Sequence, residues 1–279
     1  MSMQKLLIIG QGDIGLPVTN TLAQNGHSVT GLARRERDHY ALLDNANFLQ
    51  ADALTLTVAQ LHAFTHIAVI VTPDAYSTSG YQDSYLAISQ HLATLSEALT
   101  HLERIVFISS TGVYGQDSGE WIDEHTAPAT PTRDASKVIL QAEQTLQQGF
   151  GDKAIVIRPS GIYGRERLMR LRKAREPNKE PVPATHWSNR IMDRDLVNII
   201  VNVLTTDAPK PLYLATDYLP VTTLALDTWL SEQIGATLPT IDTQKTAVTG
   251  KRLHSNIPLA WLEYADWQTG YRDILTYQG

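Results

Sequence analysis

Short apolar runs alternate with longer amphipathic stretches along most of the chain, and this alternation restricts the fold more than any other feature. The runs have strand length and are rich in branched residues, whereas the stretches between them carry apolar residues at helical spacing. Strands that alternate with helices indicate βαβ units and a parallel sheet covered by helices on both faces. The predicted strands are KLLII, HSVTGL, HIAVIV, RIVFIS, KAIVIR and PLYLA, and the predicted helices span Leu16–Asn25, Tyr81–Thr100 and Ala135–Gln148.

The first predicted strand leads into a glycine-rich turn in the segment KLLIIGQGDIGLPVTNTLAQNG. Gly10 would allow a tight turn, Gly12 would let the backbone approach a pyrophosphate, and Gly15 would let the helix pack closely on the strand. Asp13 and Ile14 lie at the start of the following helix, whose free N–H groups attract anions. This succession predicts a Rossmann-type dinucleotide-binding fold of the α/β class, with a doubly wound parallel sheet.

The residues at the end of the second predicted strand favour NADP(H) over NAD(H). A site for NAD usually carries Asp or Glu there to bind the ribose 2′-hydroxyl, whereas this chain has Ala33, Arg34 and Arg35. Charge-assisted hydrogen bonds from arginine suit a 2′-phosphate, and each contributes roughly 1.5–3 kcal/mol. The alternatives are that both arginines are solvated surface charges, and that the cofactor is NAD(H).

Two further candidates for cofactor binding follow later strands. Asp52, in FLQADAL, could bind the adenine amino group or cap the next helix, and both interpretations stay open. Thr72 begins the loop TPDAYSTSGYQDSY after the strand HIAVIV. Because the carboxyl ends of parallel strands share one edge of the sheet, we expect this loop to face the cofactor.

The composition excludes several classes of protein. The chain has no cysteine, which excludes a disulfide framework, a thiolate nucleophile and a cysteine-type zinc site, and its nine histidines show no metal-ligand spacing. The formal net charge of −6 gives no general reason to expect a nucleic-acid partner. The apolar runs are too short for a signal peptide or for the ~18 residues of a membrane span. We therefore expect a cytoplasmic protein with no metal and no membrane partner.

The alternation breaks near residue 165, and this break defines the predicted domains. The segment GRERLMRLRKAREPNKEPVPATHWSN is first basic and then proline-rich, and NRIMDRDLVNIIVNVL returns to a helix. We predict a dinucleotide-binding domain at 1–164, to which 191–215 returns, and a small discontinuous C-terminal substrate annex at 165–190 and 216–279. The basic run is either a solvated helix face or a contact for an anionic substrate.

Three segments in order, RIVFISSTGVYGQ, TPTRDASKVILQAEQ and IVIRPSGIYGRER, resemble the extended short-chain dehydrogenase/reductase family in its sugar-nucleotide epimerase and dehydratase branch. The likeness runs from about Lys5 to Leu204 and implies an NAD(P)-dependent enzyme. It implies that Ser110 binds the reacting oxygen, and that Lys137 binds the nicotinamide ribose beside a catalytic tyrosine. The last segment corresponds to the one that passes the nicotinamide, with Pro159 and Tyr163.

The catalytic tyrosine of that family falls on Arg133 in this chain, which looks like the atypical members that lack the tyrosine. A proton shuttle should titrate near the working pH. Free arginine has a pKa of ~13, so making it neutral at pH 7 would cost about 8 kcal/mol. Arg133 is therefore not expected to act as a general base. It either holds a substrate anion or carbonyl oxygen, or lies on the surface of a helix.

Several other residues are candidates for the substrate site or for proton transfer. Arg165 and Arg190 border the predicted annex and could bind an anionic substrate. Tyr76 or Tyr81 could replace the missing acid, although tyrosines in such loops are more often packing residues. The two acids in RIMDRDLV, Asp193 and Asp195, are expected to cap a helix.

Two functions follow from the sequence and its resemblance. The first is an NADP-dependent epimerase/dehydratase-like oxidoreductase that acts on a small anionic substrate, with nucleotide-linked substrates as the class that the resemblance implies. The second is a non-catalytic NADP-binding or redox-sensing protein, in which Arg133 reflects lost chemistry. The resemblance also implies a homodimer formed through the helices Tyr81–Thr100 and Ala135–Gln148.

Overall fold

A computed structural model describes residues 4–177 and 179–278. Strands and helices alternate along most of this range, as the sequence predicts. The strands are β1 (Lys5–Ile9), β2 (Ser28–Ala33), β3 (Asn47–Gln50), β4 (His66–Val69), β5 (Arg104–Ile108), β6 (Glu120–Ile122), β7 (Ala154–Pro159), β8 (Gly161–Tyr163), β9 (His186–Ser188), β10 (Arg190–Met192), β11 (Leu212–Ala215), β12 (Val221–Thr222) and β13 (Thr249–Leu253). The helices are α1 (Gly15–Gln24), α2 (Val58–Leu61), α3 (Thr78–Tyr81), α4 (Ala87–Thr94), α5 (Asp134–Phe150), α6 (Met169–Arg175), α7 (Asp193–Thr205), α8 (Thr223–Gln233) and α9 (Trp267–Gln278).

Seven strands form one sheet in the order β11-β7-β5-β4-β1-β2-β3. The neighbouring pairs from β3 to β7 are parallel. The chain builds β1, β2 and β3 in one direction and then places β4 on the other side of β1, so the order reverses between β1 and β4. Every residue of β4 and β5 is buried, as expected for a sheet that is covered on both faces. The predicted doubly wound Rossmann-type fold is confirmed, with a reversal point where ligands bind in such sheets.

The chain divides into two compact units. Unit 1 consists of residues 1–113, 131–158 and 196–213, and unit 2 consists of 114–130, 159–195 and 214–279. Unit 2 is thus discontinuous and also takes in 114–130, which the sequence assigns to the dinucleotide-binding domain. The predicted domain boundaries stay a prediction about which segments bind cofactor and which bind substrate.

The helices of unit 1 differ from the predicted ones in one region. The predicted helix Tyr81–Thr100 is instead α3, a π-helical segment at Gln82–Leu86, and α4, which ends at Thr94. In the π segment Tyr85 packs edge-on against Phe107 of β5, with ring centroids 6.0 Å apart. An extra residue per turn therefore accommodates this aromatic contact, which helical periodicity does not reveal.

Unit 2 contains a mixed four-stranded sheet in the order β12-β9-β13-β6 and a parallel pair, β10 and β8. Its core gathers aromatic and aliphatic residues from α6, α8 and α9, including Leu171, Leu230 and Trp267. The predicted helix over the basic run begins only at Met169, because a turn comes first in which the Arg167 N–H donates to the Gly164 carbonyl at 3.0 Å. None of the described helices combines the length and apolar character needed to cross a bilayer.

Candidate functional site

In the glycine-rich turn between β1 and α1, a side chain would clash at two of the three glycines and would meet open space at the third. Gly10 has φ +95°, and a Cβ there would lie 2.1 Å from the Ile70 carbonyl oxygen. A Cβ on Gly15 would lie 1.9 Å from the Gly10 carbonyl oxygen. In contrast, a Cβ on Gly12 would meet nothing within 4 Å. Packing therefore explains Gly10 and Gly15, whereas Gly12 faces space that the protein itself leaves unfilled.

Gln11 holds this turn in place, a role that the sequence analysis missed. Its side chain is buried and donates to the carbonyls of Ile8 and Gly10 at 3.0 and 3.2 Å. Its side-chain amide oxygen accepts a hydrogen bond from the Thr19 hydroxyl of α1 at 3.0 Å. In the sequence, the feature that could have indicated this role is a polar residue between two glycines. The turn is thus fixed before any ligand binds.

The ends of β1, β2, β3 and β4 surround a cavity of about 560 Å³ in unit 1. This volume lies in the ordinary range of a small-molecule or cofactor site. Of the predicted cofactor residues, the cavity brings together Gly10, Gly12, Arg34, Arg35, Asp52 and Thr72. Two others flank it in sequence, since Asp13 is exposed and Ile14 is buried just before α1. Pro159, the last residue of β7, belongs to unit 2.

Arg34 makes a bidentate ion pair with Asp74, a residue that follows β4. The guanidinium donates to the two carboxylate oxygens at 2.7 and 2.9 Å, and both side chains line the cavity. The hydrogen bond from Arg34 lowers the pKa of the Asp74 carboxyl, and Asp74 in turn raises the pKa of Arg34. The sequence shows no acid at the end of β2, but the fold brings one to that arginine from a segment 40 residues away.

Asp52 caps the short 3-10 helix Ala53–Thr55. Its Oδ1 accepts a hydrogen bond from the Leu54 N–H at 2.9 Å. The capping interpretation is therefore observed. Because Asp52 also lines the cavity, an adenine contact stays compatible with its position.

Two hydroxyls converge at the end of β5. Ser110 Oγ accepts a hydrogen bond from the Gly112 N–H at 3.0 Å. The Oγ atoms of Ser110 and Ser136 would each lie 3.2 Å from a Cβ on Gly112. Lys137, on the next residue of α5, is half exposed and pairs with Asp134 at 2.8 Å. Ser110, which the resemblance predicts at the site, and Ser136 thus share one location in unit 1.

Arg133 lies immediately before α5 and makes no side-chain cap hydrogen bond. Its side chain is exposed. Burial raises the pKa of Tyr81, as does the neighbouring Tyr76, whereas the positive charge of Arg133 opposes that shift. Tyr81 stacks on Tyr85 with ring centroids 5.4 Å apart, while Tyr76 is 84% exposed. Of the two candidate tyrosines, only Tyr81 is held by packing.

A buried ion pair lies beneath this region and was not found from the sequence. Arg158 of β7 donates through Nε and Nη2 to the two Glu143 oxygens at 3.0 and 2.6 Å. The Ser109 hydroxyl donates to the same carboxylate. The side chains of Arg158 and Glu143 are only 7% and 1% exposed. This network joins β5, α5 and β7, the elements that carry Ser110 and Lys137.

Unit 2 contains a further buried guanidinium, that of Arg190. It donates to the Asn189 carbonyl and the Ser188 hydroxyl at 3.2 and 3.3 Å, but its Nε has no hydrogen-bond partner among the described residues. Burial lowers the pKa of Arg190. Burial also raises the pKa of the nearby Asp217 carboxyl to about 8. Among the described residues no carboxylate is hydrogen-bonded to Arg190, although the charges of Asp227 and Asp217 oppose the lowering of its pKa.

The remaining predicted substrate residues are engaged within unit 2. Tyr163 is buried and stacks on Tyr271 with ring centroids 4.4 Å apart, which explains it by packing. Arg165 pairs with Asp273 at 3.0 Å and lies over the Tyr277 ring. Such contacts leave Arg190 as the stronger anion-binding candidate.

Two acidic residues differ in what they bind. Asp193 Oδ1 accepts a hydrogen bond from the Arg194 N–H at 2.7 Å, at the start of α7. Asp195 was expected to cap the same helix, but its carboxylate accepts from the N–H groups of Glu263 and Tyr264 at 2.6 and 3.1 Å. It thereby fixes the C-terminal segment. No group of three or more His, Asp or Glu side chains in the described residues could hold a metal ion.

Known structures share this architecture. A Methylobacillus flagellatus protein, an NAD-dependent epimerase/dehydratase candidate, is 30% identical, with 99% of each chain covered and a TM-score of 0.79. UDP-glucuronic acid 4-epimerase from Bacillus cereus, in complex with UDP-glucuronic acid and NAD, is 16% identical, with 99% of this chain and 100% of that chain covered and a TM-score of 0.76. The second similarity concerns the fold alone.

Sequence comparison gives the family. Protein YeeZ of Escherichia coli K12 is 28% identical over 168 residues, which are 58% of this chain and 60% of that curated relative's length. The sequence model of the NAD dependent epimerase/dehydratase family matches residues 6–207. This match extends over more than half of the 279 residues and confirms the resemblance inferred from the motifs. The chain therefore belongs to the NAD dependent epimerase/dehydratase family.

Proposed function

We propose that the chain binds NADP(H) in the cavity of unit 1 and is an epimerase/dehydratase-like oxidoreductase for an anionic, nucleotide-linked substrate. The observation that carries this proposal is the glycine turn. Gly10 and Gly15 are required by packing, but Gly12 is required by nothing within 4 Å. A pyrophosphate at the start of α1 gives a reason for the missing side chain, because a Cβ would occupy the space that the phosphates need.

The preference for NADP(H) over NAD(H) rests on Arg34 and Arg35. Both line the cavity at the end of β2, where a carboxylate of the same strand would otherwise bind the ribose 2′-hydroxyl. A guanidinium can hold a phosphate through two parallel hydrogen bonds. NAD(H), the cofactor named for the family, is the alternative.

The other residues of unit 1 divide the remaining tasks. A bound dinucleotide supplies hydride transfer. Lys137 Nζ would bind the ribose hydroxyls in exchange for its exposed pair with Asp134, and the Ser110 and Ser136 hydroxyls would hold the reacting oxygen of the substrate. Arg133 stays protonated and cannot accept the proton. Tyr81, which packing against Tyr85 holds in place, is the proposed proton carrier; burial raises its pKa, and the Arg133 charge opposes that shift.

The anionic substrate is supported by Arg190. A guanidinium that is nine-tenths buried, with an unpartnered Nε, favours an anion that completes its neutralisation. A nucleoside diphosphate linked to a sugar offers such an anion. The fold neighbour from Bacillus cereus, which holds UDP-glucuronic acid, agrees with this class.

The decisive test replaces Gly12 with valine. The added side chain enters open space, so the melting temperature should stay within about 2 °C of wild type. NADP(H) binding measured by calorimetry should disappear. Gln24→Val, at the exposed end of the same helix, is the matched control and should bind normally. Unchanged NADP(H) affinity in Gly12→Val would remove the proposal.

A second candidate is a non-catalytic NADP-binding protein. The specific observation in its favour is that Lys137 is engaged with Asp134, while Arg133 stands where the resemblance predicts the catalytic tyrosine. NADPH oxidation and epimerisation assays with a panel of nucleotide sugars distinguish the two functions. Turnover that depends on Ser110 supports the enzyme, and dinucleotide binding without any turnover supports the alternative.

A further inference from the structure

Asp74 is paired with Arg34, the arginine that the 2′-phosphate of the proposed cofactor would need. Its two carboxylate oxygens accept hydrogen bonds from the Arg34 guanidinium at 2.7 and 2.9 Å. A 2′-phosphate would use the same paired N–H groups, because guanidinium binds carboxylate and phosphate with the same bidentate geometry. The two anions therefore compete for one site.

The position of Asp74 is fixed by its loop rather than by the ion pair alone. Pro73, which precedes it, is buried. On the other side, the Ser77 hydroxyl accepts from the Gly80 N–H at 3.2 Å at the start of α3. A Cβ on Gly80 would lie 2.1 Å from the Ala75 carbonyl oxygen, so this turn closes tightly on itself. The loop thus places the Asp74 carboxylate in the lining of the cavity.

The ion pair itself can open easily. The side chains of Arg34 and Asp74 are 63% and 75% exposed, and pairs this exposed contribute little to stability. Arg35 also lines the cavity and remains available beside them. A bound 2′-phosphate could displace Asp74 from Arg34, but the carboxylate would stay close and repel it.

We infer that Asp74 is a specificity-determining residue that competes with the 2′-phosphate for Arg34 and thereby limits selectivity for NADP(H) over NAD(H). This inference rests on the proposed function, because it requires a dinucleotide in the cavity of unit 1. NAD(H) carries no 2′-phosphate, so its affinity should depend much less on Asp74. The selectivity of the chain is then set by three residues from two strand ends rather than by the end of β2 alone.

The test measures the affinities of NADP+ and NAD+ by calorimetry at one salt concentration, in wild type, Asp74→Asn and Asp74→Ala. Removal of the charge should raise the ratio of NADP+ to NAD+ affinity by about three- to tenfold, the range for one nearby charge in a solvated site. In an Arg34→Ala background the same substitutions should raise the ratio by a smaller factor than in the wild-type background, because the competition for Arg34 is gone and only the repulsion by the carboxylate remains.

Asp83→Asn is the matched control. Asp83 lines the same cavity and is exposed, but it makes no ion pair with Arg34. This substitution should shift both affinities alike. An unchanged ratio in both Asp74 variants, or an equal gain with Asp83→Asn, would overturn the inference while leaving dinucleotide binding intact. If wild type binds neither dinucleotide, the proposed function fails, and this inference fails with it.

Discussion

The stability of unit 1 should be sensitive to the loss of either partner of the buried ion pair between Arg158 and Glu143. With 7% and 1% of their side chains exposed, the two charges are desolvated and depend on each other. Breaking a buried pair by removing one partner typically costs 3–5 kcal/mol, because it leaves a buried charge without compensation. We therefore expect Glu143→Ala to lower the free energy of unfolding by about 3–5 kcal/mol.

A double replacement separates the net contribution of the ion pair to stability from the cost of leaving one buried charge without its partner. Glu143→Leu with Arg158→Met removes both charges and keeps much of the buried volume. Replacement of a buried pair by apolar residues is often close to neutral. The double variant should therefore recover most of the loss, and the coupling energy of the cycle should exceed about 2 kcal/mol. Ser109→Ala, which removes one donor, should cost about 1–3 kcal/mol.

The assay is equilibrium unfolding in urea followed by far-UV circular dichroism, together with hydrogen exchange of the amides of β5, β7 and α5. A loss of 3–5 kcal/mol moves the midpoint by about 1–2.5 M for m-values near 2–3 kcal/mol/M. Asp74→Asn, in an exposed pair of the same unit, is the control and should cost no more than about 1 kcal/mol. The reasoning would be refuted if Glu143→Ala cost no more than this control.

Two further predictions concern pH and the cofactor. Burial lowers the pKa of His66 to about 4, so the unfolded chain binds more protons between about pH 4 and 6.5, and stability should fall as pH falls through this window. In urea titrations, His66→Gln should remove roughly 2–3 kcal/mol of the change in unfolding free energy between pH 7.5 and 4.5. The exposed His62→Gln is the control and should not remove it. Parallel pH profiles for wild type and His66→Gln would contradict the assignment. Lys137→Ala should weaken NADP(H) by tenfold or more in calorimetry, since a charged hydrogen bond contributes about 1.5–3 kcal/mol, and Arg133→Ala should change it less than about twofold. Arg133→Tyr could raise activity on a nucleotide-sugar panel by up to ~10²–10⁴-fold, whereas a wild-type turnover lost in both Arg133→Ala and Arg133→Lys would make Arg133 a substrate clamp.

The fold could be predicted because its signals are local. Six of the seven sheet strands coincide with apolar runs that are visible in the sequence, and the glycine turn lies between the first of them and a helix. Helix α5 extends from Asp134 to Phe150, close to the predicted Ala135–Gln148. Local signals failed where tertiary contacts set the backbone, as in the π segment that packs Tyr85 against Phe107.

The site was only partly predictable because its charges come from distant segments. The end of β2 shows Arg34 but not its partner Asp74, which the parallel sheet brings to the same edge from the end of β4. Glu143 lies in the predicted helix Ala135–Gln148, where the sequence does not distinguish it from the exposed polar residues, yet it is buried and pairs with Arg158. Neither pairing has a sequence spacing that predicts it, because both depend on strand order.

Packing does not require every residue of the proposed site, so residues needed for stability can be distinguished from residues needed for function. Gly10 and Gly15 have no room for a side chain, so their presence follows from packing whether or not a cofactor binds. Gly12 has room, and Arg133 is exposed at a helix start that it does not cap. Exchange at these two positions should cost the fold little. The open Gly12 is therefore the stronger sign of the proposed pyrophosphate, and Arg133 is proposed to bear on proton transfer or on substrate binding. Cofactor binding and chemistry can then be lost independently, and Gly12→Val and Arg133→Tyr test them one at a time.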